Sequence, residues 1–172
     1  LLRWKHSIYD MVYPPLVIQV AEESGKLIAL EKNIFVTIME SMPELIKILG
    51  EETKISVNVT GTTIQSEEFE KFLVQLSKDY PRYSNRIVIE ITEQAALSIK
   101  EELIDRLTRI AKRGYGFAID DFSMGSTSIK YLQTNVFNLI KLDGSMTRKK
   151  KKNRRSKDII ASITKLSSDL GI

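Results

Sequence analysis

The sequence predicts an α/β fold built of βα units around a parallel sheet and, within that class, a (β/α)₈ barrel rather than an open sheet. Strand-like and helix-like hydrophobic periods alternate at intervals of roughly thirty residues, the spacing of βα units. The apolar runs are nearly continuous, as expected of strands covered on both faces. Polar residues, namely Asn58, Glu90, Asp120, Asp121 and Lys141, stand at or just past the C-terminal ends of four successive runs. In a parallel sheet those ends share one rim, where ligands bind. An open doubly wound sheet is disfavoured because neither GxGxxG nor GxxxxGK[ST] occurs.

In chain order, Leu1-Leu2-Arg3-Trp4 reads as a first strand. Pro14-Pro15 followed by Leu16, Val17, Val20 and Ala21 suits a helix with proline in its first turn, ending near Gly25. Leu30, Ile34, Phe35, Ile38 and Met39 continue at helical spacing up to Pro43, which is expected to kink the helix or to start another through Leu45, Ile46 and Leu49. Lys54 to Val59 reads as a strand. Ser66 is placed to cap a helix with Glu67 and Glu68 in its first turn and Phe69, Phe72, Leu73 and Leu76 on one face. Ile87 to Ile91 is a β-branched strand. Ser98-Ile99-Lys100-Glu101 is a capping box for a helix carrying Leu103, Leu107, Ile110 and Ala111, which Gly114 closes. Phe117-Ala118-Ile119 and Val136 to Ile140 are further strands, and a last helix runs from about Ser156 towards Gly171. Five strands are fewer than a complete barrel needs, and the opening residue is not Met, so the chain reads as part of a longer product.

Composition narrows the function classes. The 172 residues are 42% hydrophobic and contain no cysteine, which excludes a disordered chain and a disulfide scaffold. No apolar run is long enough for a transmembrane helix, and a cytoplasmic location is expected, although domains outside the chain would be able to attach the protein to a membrane. The net charge of +4 is local. Eight of the ten residues from Arg148 to Lys157 are basic, and the rest of the chain carries 18 positive against 22 negative side chains. With no interleaved aromatic residue this run reads as a solvated loop rather than a nucleic-acid site. His6 reads as a surface residue, and Trp4, Met39 and Met42 as packing residues.

The rim residues are hard oxygen donors, a set that suits Mg²⁺ or Mn²⁺ rather than zinc. Neighbouring strand side chains face opposite ways, so Asp120 and Asp121 reach one site only where the strand ends and twists into a loop. There they would serve one or two cations, with Lys141 stabilising charge beside a scissile phosphate. A structural alternative is that the doublet caps the next helix and Lys141 pairs with Asp143. A chemical alternative is a Schiff-base lysine at Lys141, which Asp143 would disfavour by stabilising the charged ammonium.

Leu1-Leu2-Arg3-Trp4, Val57-Asn58-Val59, Glu90-Ile91-Thr92-Glu93, Asp120-Asp121-Phe122 and Lys141-Leu142-Asp143, with Pro15 and Ala21-Glu22 in the first helix, fall in the order and approximate spacing of EAL domains. The chain thus resembles the bacterial cyclic di-GMP phosphodiesterases over essentially its whole length. The resemblance implies a (β/α)₈-type barrel that hydrolyses cyclic di-GMP to linear pGpG with Mg²⁺ or Mn²⁺ in a two-metal site. Asn58, Glu90, Asp120 and Asp121 match metal ligands, and Lys141 matches the lysine beside the catalytic water. Arg3 resembles an arginine that contacts substrate phosphate, and Glu93 resembles the glutamate that anchors the loop after the aspartate pair. That loop, DDFGTG in the family, reads Asp120-Asp121-Phe122-Ser123-Met124-Gly125 here, and in the family it is linked to metal coordination and dimerisation. Residues 1–172 are accordingly expected to be a partial EAL domain, without the family's first glutamate and its later EGVE strand. The parent domain is expected to be a phosphodiesterase, with a homodimer and further regulatory domains as partners, and the isolated piece to be nearly inactive. The alternative is a degenerate EAL domain that senses cyclic di-GMP or dimerises without catalysis.

Overall fold

Four of the expected strands lie side by side. β3 (Ile55–Asn58), β4 (Ile87–Thr92), β5 (Gly116–Phe122) and β6 (Leu139–Leu142) form a parallel sheet in the order β3-β4-β5-β6. The computed structural model describes residues 4–8, 10–97, 101–122, 132–144 and 154–172. The fold is α/β, with a four-stranded parallel sheet that is an incomplete barrel of the (β/α)₈ type. Of the first expected strand, Leu1 to Arg3 lie outside the described residues. Trp4 opens β1 (Trp4–His6), which pairs antiparallel with β2 (Asp10–Val12) in a separate hairpin and not with the parallel sheet.

α1 (Pro14–Glu23) starts with its prolines, where the missing N–H groups cost nothing. α2 (Leu27–Leu49) runs on through Pro43, so of the two expectations for that residue no separate helix starts there. Phe35, Met39 and Met42 are almost fully buried, so the apolar stripe leading up to Pro43 is anchored in the core. Gly50 ends α2 at φ +100°, a conformation that side-chain-bearing residues rarely adopt. A short α3 (Gly61–Ile64) follows β3, and α4 (Glu67–Asp79) follows α3. Ser66 occupies the cap position of α4 without a side-chain cap bond, and three glutamates in the first turn complement the helix dipole instead.

α5 (Glu93–Leu97) follows β4 directly, α6 (Glu101–Ala111) precedes β5, and α7 (Arg154–Leu170) is the last helix. The start of the predicted capping box at Ser98 and the loop 123–131 lie outside the described residues, as does the basic run through residue 153.

Strand alternation splits the sheet into two faces. Ile89, Ile91, Phe117 and Ile119 are buried on the helix side, packed with Leu73, Leu76, Leu107 and Ile110 from α4 and α6. Phe35 of α2 meets Phe69 of α4 edge to face at 5.5 Å, a geometry that adds to area burial. Tyr115, just before β5, is buried and its hydroxyl donates to the Leu73 carbonyl at 3.1 Å, tying β5 to α4.

The last strand differs from its expected span. Val136 and Phe137 precede β6 and are buried core filling, with Phe137 set edge-on to Phe117 at 6.4 Å. Asn138 binds both backbone groups of Phe117, donating its N–H to the carbonyl at 2.9 Å and accepting from the N–H at 3.3 Å. An apolar run had implied a strand where a buried loop is held by hydrogen bonds instead. Lys141 therefore sits within β6 rather than past its end.

α4 and α6 are joined by Glu70, whose carboxylate accepts from Arg109 Nε at 2.7 Å and from Nη2 at 3.1 Å, with Arg106 Nε 3.1 Å away. The hydrogen bond from Arg109 is the main cause holding the Glu70 carboxyl below its ordinary value of 4.5. A depressed folded-state pKa gives stability that is complete above the unfolded value and is lost as pH falls through the folded one. Glu70→Gln is therefore expected to flatten the acid limb of stability below about pH 4.5. Urea melts of both proteins across pH 3 to 7 measure this; parallel acid limbs would refute it.

Candidate active site

Register places the polar residues on the sheet face away from the helices. Asn58 is paired with Glu90 across β3 and β4, and Thr92, two residues further on the same face, is paired with Asp120 across β4 and β5. Lys141 completes the cluster from β6. Its Nζ donates to Glu90 Oε2 at 2.8 Å and lies 3.2 Å from Asp120 Oδ1. The Glu90 carboxylate is nearly inaccessible, with a side chain 4% exposed, whereas Lys141 is 41% exposed. One ammonium thus bridges two carboxylates delivered by two neighbouring strands.

The acidic doublet reaches this region by a route other than the expected strand end. Both aspartates lie inside β5, and the pairing with β6 shifts between Ile119 and Phe122. Ile119 pairs with Ile140 and Phe122 with Leu142, so Asp120 and Asp121 together stand opposite Lys141. This is a β-bulge, which breaks the strict alternation of faces and re-aims side chains. Asp121 takes the extra position at φ +54°, a left-handed conformation that Asp tolerates better than most residues. Its N–H donates to Asp120 Oδ1 at 3.0 Å, so the bulge itself helps orient the Asp120 carboxylate. Asp121 is exposed, as is Asn58.

The other assigned residues divide. Glu93 is the first residue of α5, directly after β4 and half-buried. Arg3 lies outside the described residues, as do Ser123, Met124 and Gly125. Lys141 is held above its ordinary value of 10.5, mainly by its hydrogen bond to Glu90, with Asp120 adding to the effect and partial burial opposing it. An ammonium so stabilised is a poor carbonyl nucleophile, which counts against a Schiff-base lysine at this position.

The donor chemistry fits a hard divalent cation, since Asn58, Glu90, Asp120 and Asp121 offer only oxygen ligands. Among the described residues no three His, Cys, Asp or Glu side chains are already gathered around one point.

One functional candidate was not legible as a site residue. Glu31 of α2 is buried, 5% exposed, and accepts from the N–H of Thr60, just after Asn58. The available signal was a glutamate between Leu27 and Phe35 on the stripe that α2 buries.

A parallel α/β sheet with amide, carboxylate and ammonium groups on one rim defines a barrel-type protein with a polar mouth. The chain belongs to the EAL domain family, whose model matches residues 1–172. It is 27% identical over 172 residues to the probable cyclic di-GMP phosphodiesterase PdeG of Escherichia coli, covering all of this chain and 34% of that protein. It is also 27% identical over 172 residues to the cyclic di-GMP phosphodiesterase RocR of Pseudomonas aeruginosa, covering 44% of it. The solved structure of the PaMucR phosphodiesterase in its c-di-GMP complex matches with a TM-score of 0.87 at 20% identity, over all of this chain and 70% of that one. That likeness is one of fold. The chain spans only about a third of the length of PdeG and under half of RocR. Among the described residues no helix is long and apolar enough to cross a membrane.

Proposed function

We propose that the protein carrying this chain hydrolyses cyclic di-GMP to linear pGpG with Mg²⁺ or Mn²⁺. The observation that carries the proposal is the bridging of Glu90 and Asp120 by Lys141 on one rim, in a member of the EAL family. Asn58, Glu90, Asp120 and Asp121 would hold the cations. When bound, such cations supply Lewis-acid charge to a phosphodiester. Lys141 is charged throughout the physiological range and places a positive group beside the two carboxylates, where a phosphate oxygen gains negative charge during hydrolysis. The bulge sets Asp120 and Asp121 together opposite Lys141 before substrate arrives, which limits reorganisation during reaction. Water adds at one phosphorus, the ester bond to the departing ribose oxygen breaks, and that oxygen takes up a proton, which opens the ring.

A second reading is favoured by one observation. Lys141 already neutralises Glu90 and Asp120 and competes with a cation for them. In that reading the domain binds cyclic di-GMP as a sensor without turning it over. The test is incubation of the complete gene product with cyclic di-GMP and Mn²⁺, with chromatography for pGpG. Product that disappears on chelation is the expected result. Retained binding with no pGpG would select the sensor, and absence of both would refute the two readings together.

A further inference from the structure

Glu31 and Glu90 are the only buried carboxylates among the described residues, and the chemistry above leaves Glu31 unused. Glu31 sits between Leu27 and Phe35 on the stripe that α2 turns to the core. No Lys or Arg among the described residues pairs with it. Its Oε1 accepts from the Thr60 backbone N–H at 3.1 Å, and its Oε2 is 3.5 Å from Thr60 Oγ1. Thr60 in turn caps α3, its Oγ1 accepting from the Thr63 N–H at 3.4 Å.

This carboxylate ends the strand that carries Asn58. Asn58 is in register with Glu90, and the next N–H, that of Val59, donates to the Glu90 carbonyl at 2.9 Å. The N–H after that belongs to Thr60 and goes to Glu31. Gly61 then lies against α5, where an added Cβ would come within 3.1 Å of the Ala95 side chain. Three consecutive residues after Asn58 are thus fixed, by β4, by α2 and by α5.

Burying a carboxylate costs free energy, and an apolar residue of similar volume is often neutral or stabilising in such a place. Burial indeed raises the Glu31 carboxyl above its ordinary value of 4.5, with the hydrogen bonds from Thr63 and Thr60 opposing. Stability therefore gives little reason for a glutamate here, whereas a fixed backbone after Asn58 does. We propose that Glu31 is a positioning residue, which holds the Val59-Thr60 turn so that the Asn58 amide faces the same cation as Glu90. The inference rests on the metal-dependent reading of the rim.

Loss of a partner that orients a metal ligand typically weakens metal binding by about 10–100-fold. The experiment uses the complete gene product and Mn²⁺ alone, followed by calorimetry, with hydrogen exchange of the peptide containing residues 55–60. Glu31→Met fills the site without an acceptor for the Thr60 N–H. It is expected to raise the Mn²⁺ dissociation constant about tenfold and to speed exchange in that peptide, without a comparable fall in melting temperature. Glu31→Gln keeps an acceptor oxygen and is expected to stay within about twofold of the parent, a rescue that a requirement for charge would not give. Thr60→Pro is an independent variant: the native φ of −73° suits a proline ring, and only the donor and the hydroxyl are lost. It is expected to match Glu31→Met. Parent-like Mn²⁺ binding in Glu31→Met and Thr60→Pro would overturn the proposal. A parent protein that binds Mn²⁺ but makes no pGpG would defeat the phosphodiesterase reading while leaving this one standing.

Discussion

Lys141→Met is expected to lower turnover of cyclic di-GMP by about 10²–10³-fold, the range found when a preorganised group that stabilises developing charge is removed. The same change removes the one ammonium shared by Glu90 and Asp120. Glu90 is too buried to replace that partner with water, and leaving a buried charged group unsatisfied costs more than the roughly 1–3 kcal/mol of a neutral one. The variant should therefore be less stable than the parent at neutral pH. Steady-state kinetics with Mn²⁺ and urea melts at pH 7 measure the two effects. Unchanged turnover would remove Lys141 from the chemistry, and parent-like stability would contradict its role as counterion.

Asp121→Gly is expected to act in opposite directions on activity and stability. Asp121 holds φ +54° at the bulge, and a left-handed residue with a Cβ stores about 1–2 kcal/mol, somewhat less for Asp. Glycine relieves that strain and offsets part of the gain through its greater freedom in the unfolded chain, so a net stabilisation of up to about 1 kcal/mol follows. The carboxylate is lost as well, and activity should fall by about 10²-fold or more. Asp121→Ala separates the two effects, since it loses the carboxylate and keeps the strain. It should be as inactive as the glycine variant and less stable than it. A glycine variant less stable than the alanine one would mean that the bulge is not strained. Strain of this kind at a functional position is a common trade of stability for geometry.

Both expectations depend on features that differ in how far they can be read from residues. The alternation of apolar periods made the βα class and most helices readable, and the ends of the apolar runs pointed to Asn58 and Glu90 on one rim. The bulge was not readable. Asp120 and Asp121 look alike in sequence, and only the pairing of β5 with β6 makes two residues oppose one. The start of β6 was misplaced for a related reason. Val136 and Phe137 are as apolar as strand residues, but they are buried in a loop that Asn138 ties to Phe117. Pro43 shows the converse, a strong local breaker overruled because α2 has a buried stripe to hold it.

The α/β class, the order of the elements and the set of oxygen-bearing residues available to the rim are legible from the residues alone, because periodicity and residue chemistry are local properties. Tertiary structure alone decided which of those groups meet: that Lys141 bridges Glu90 and Asp120, that the doublet sits on a bulge, and that Glu31 of a distant helix grips the turn after Asn58. Each of these contacts joins residues far apart in the chain or depends on inter-strand register. Such geometry is set by packing of the whole sheet and its helices, not by any short stretch of residues.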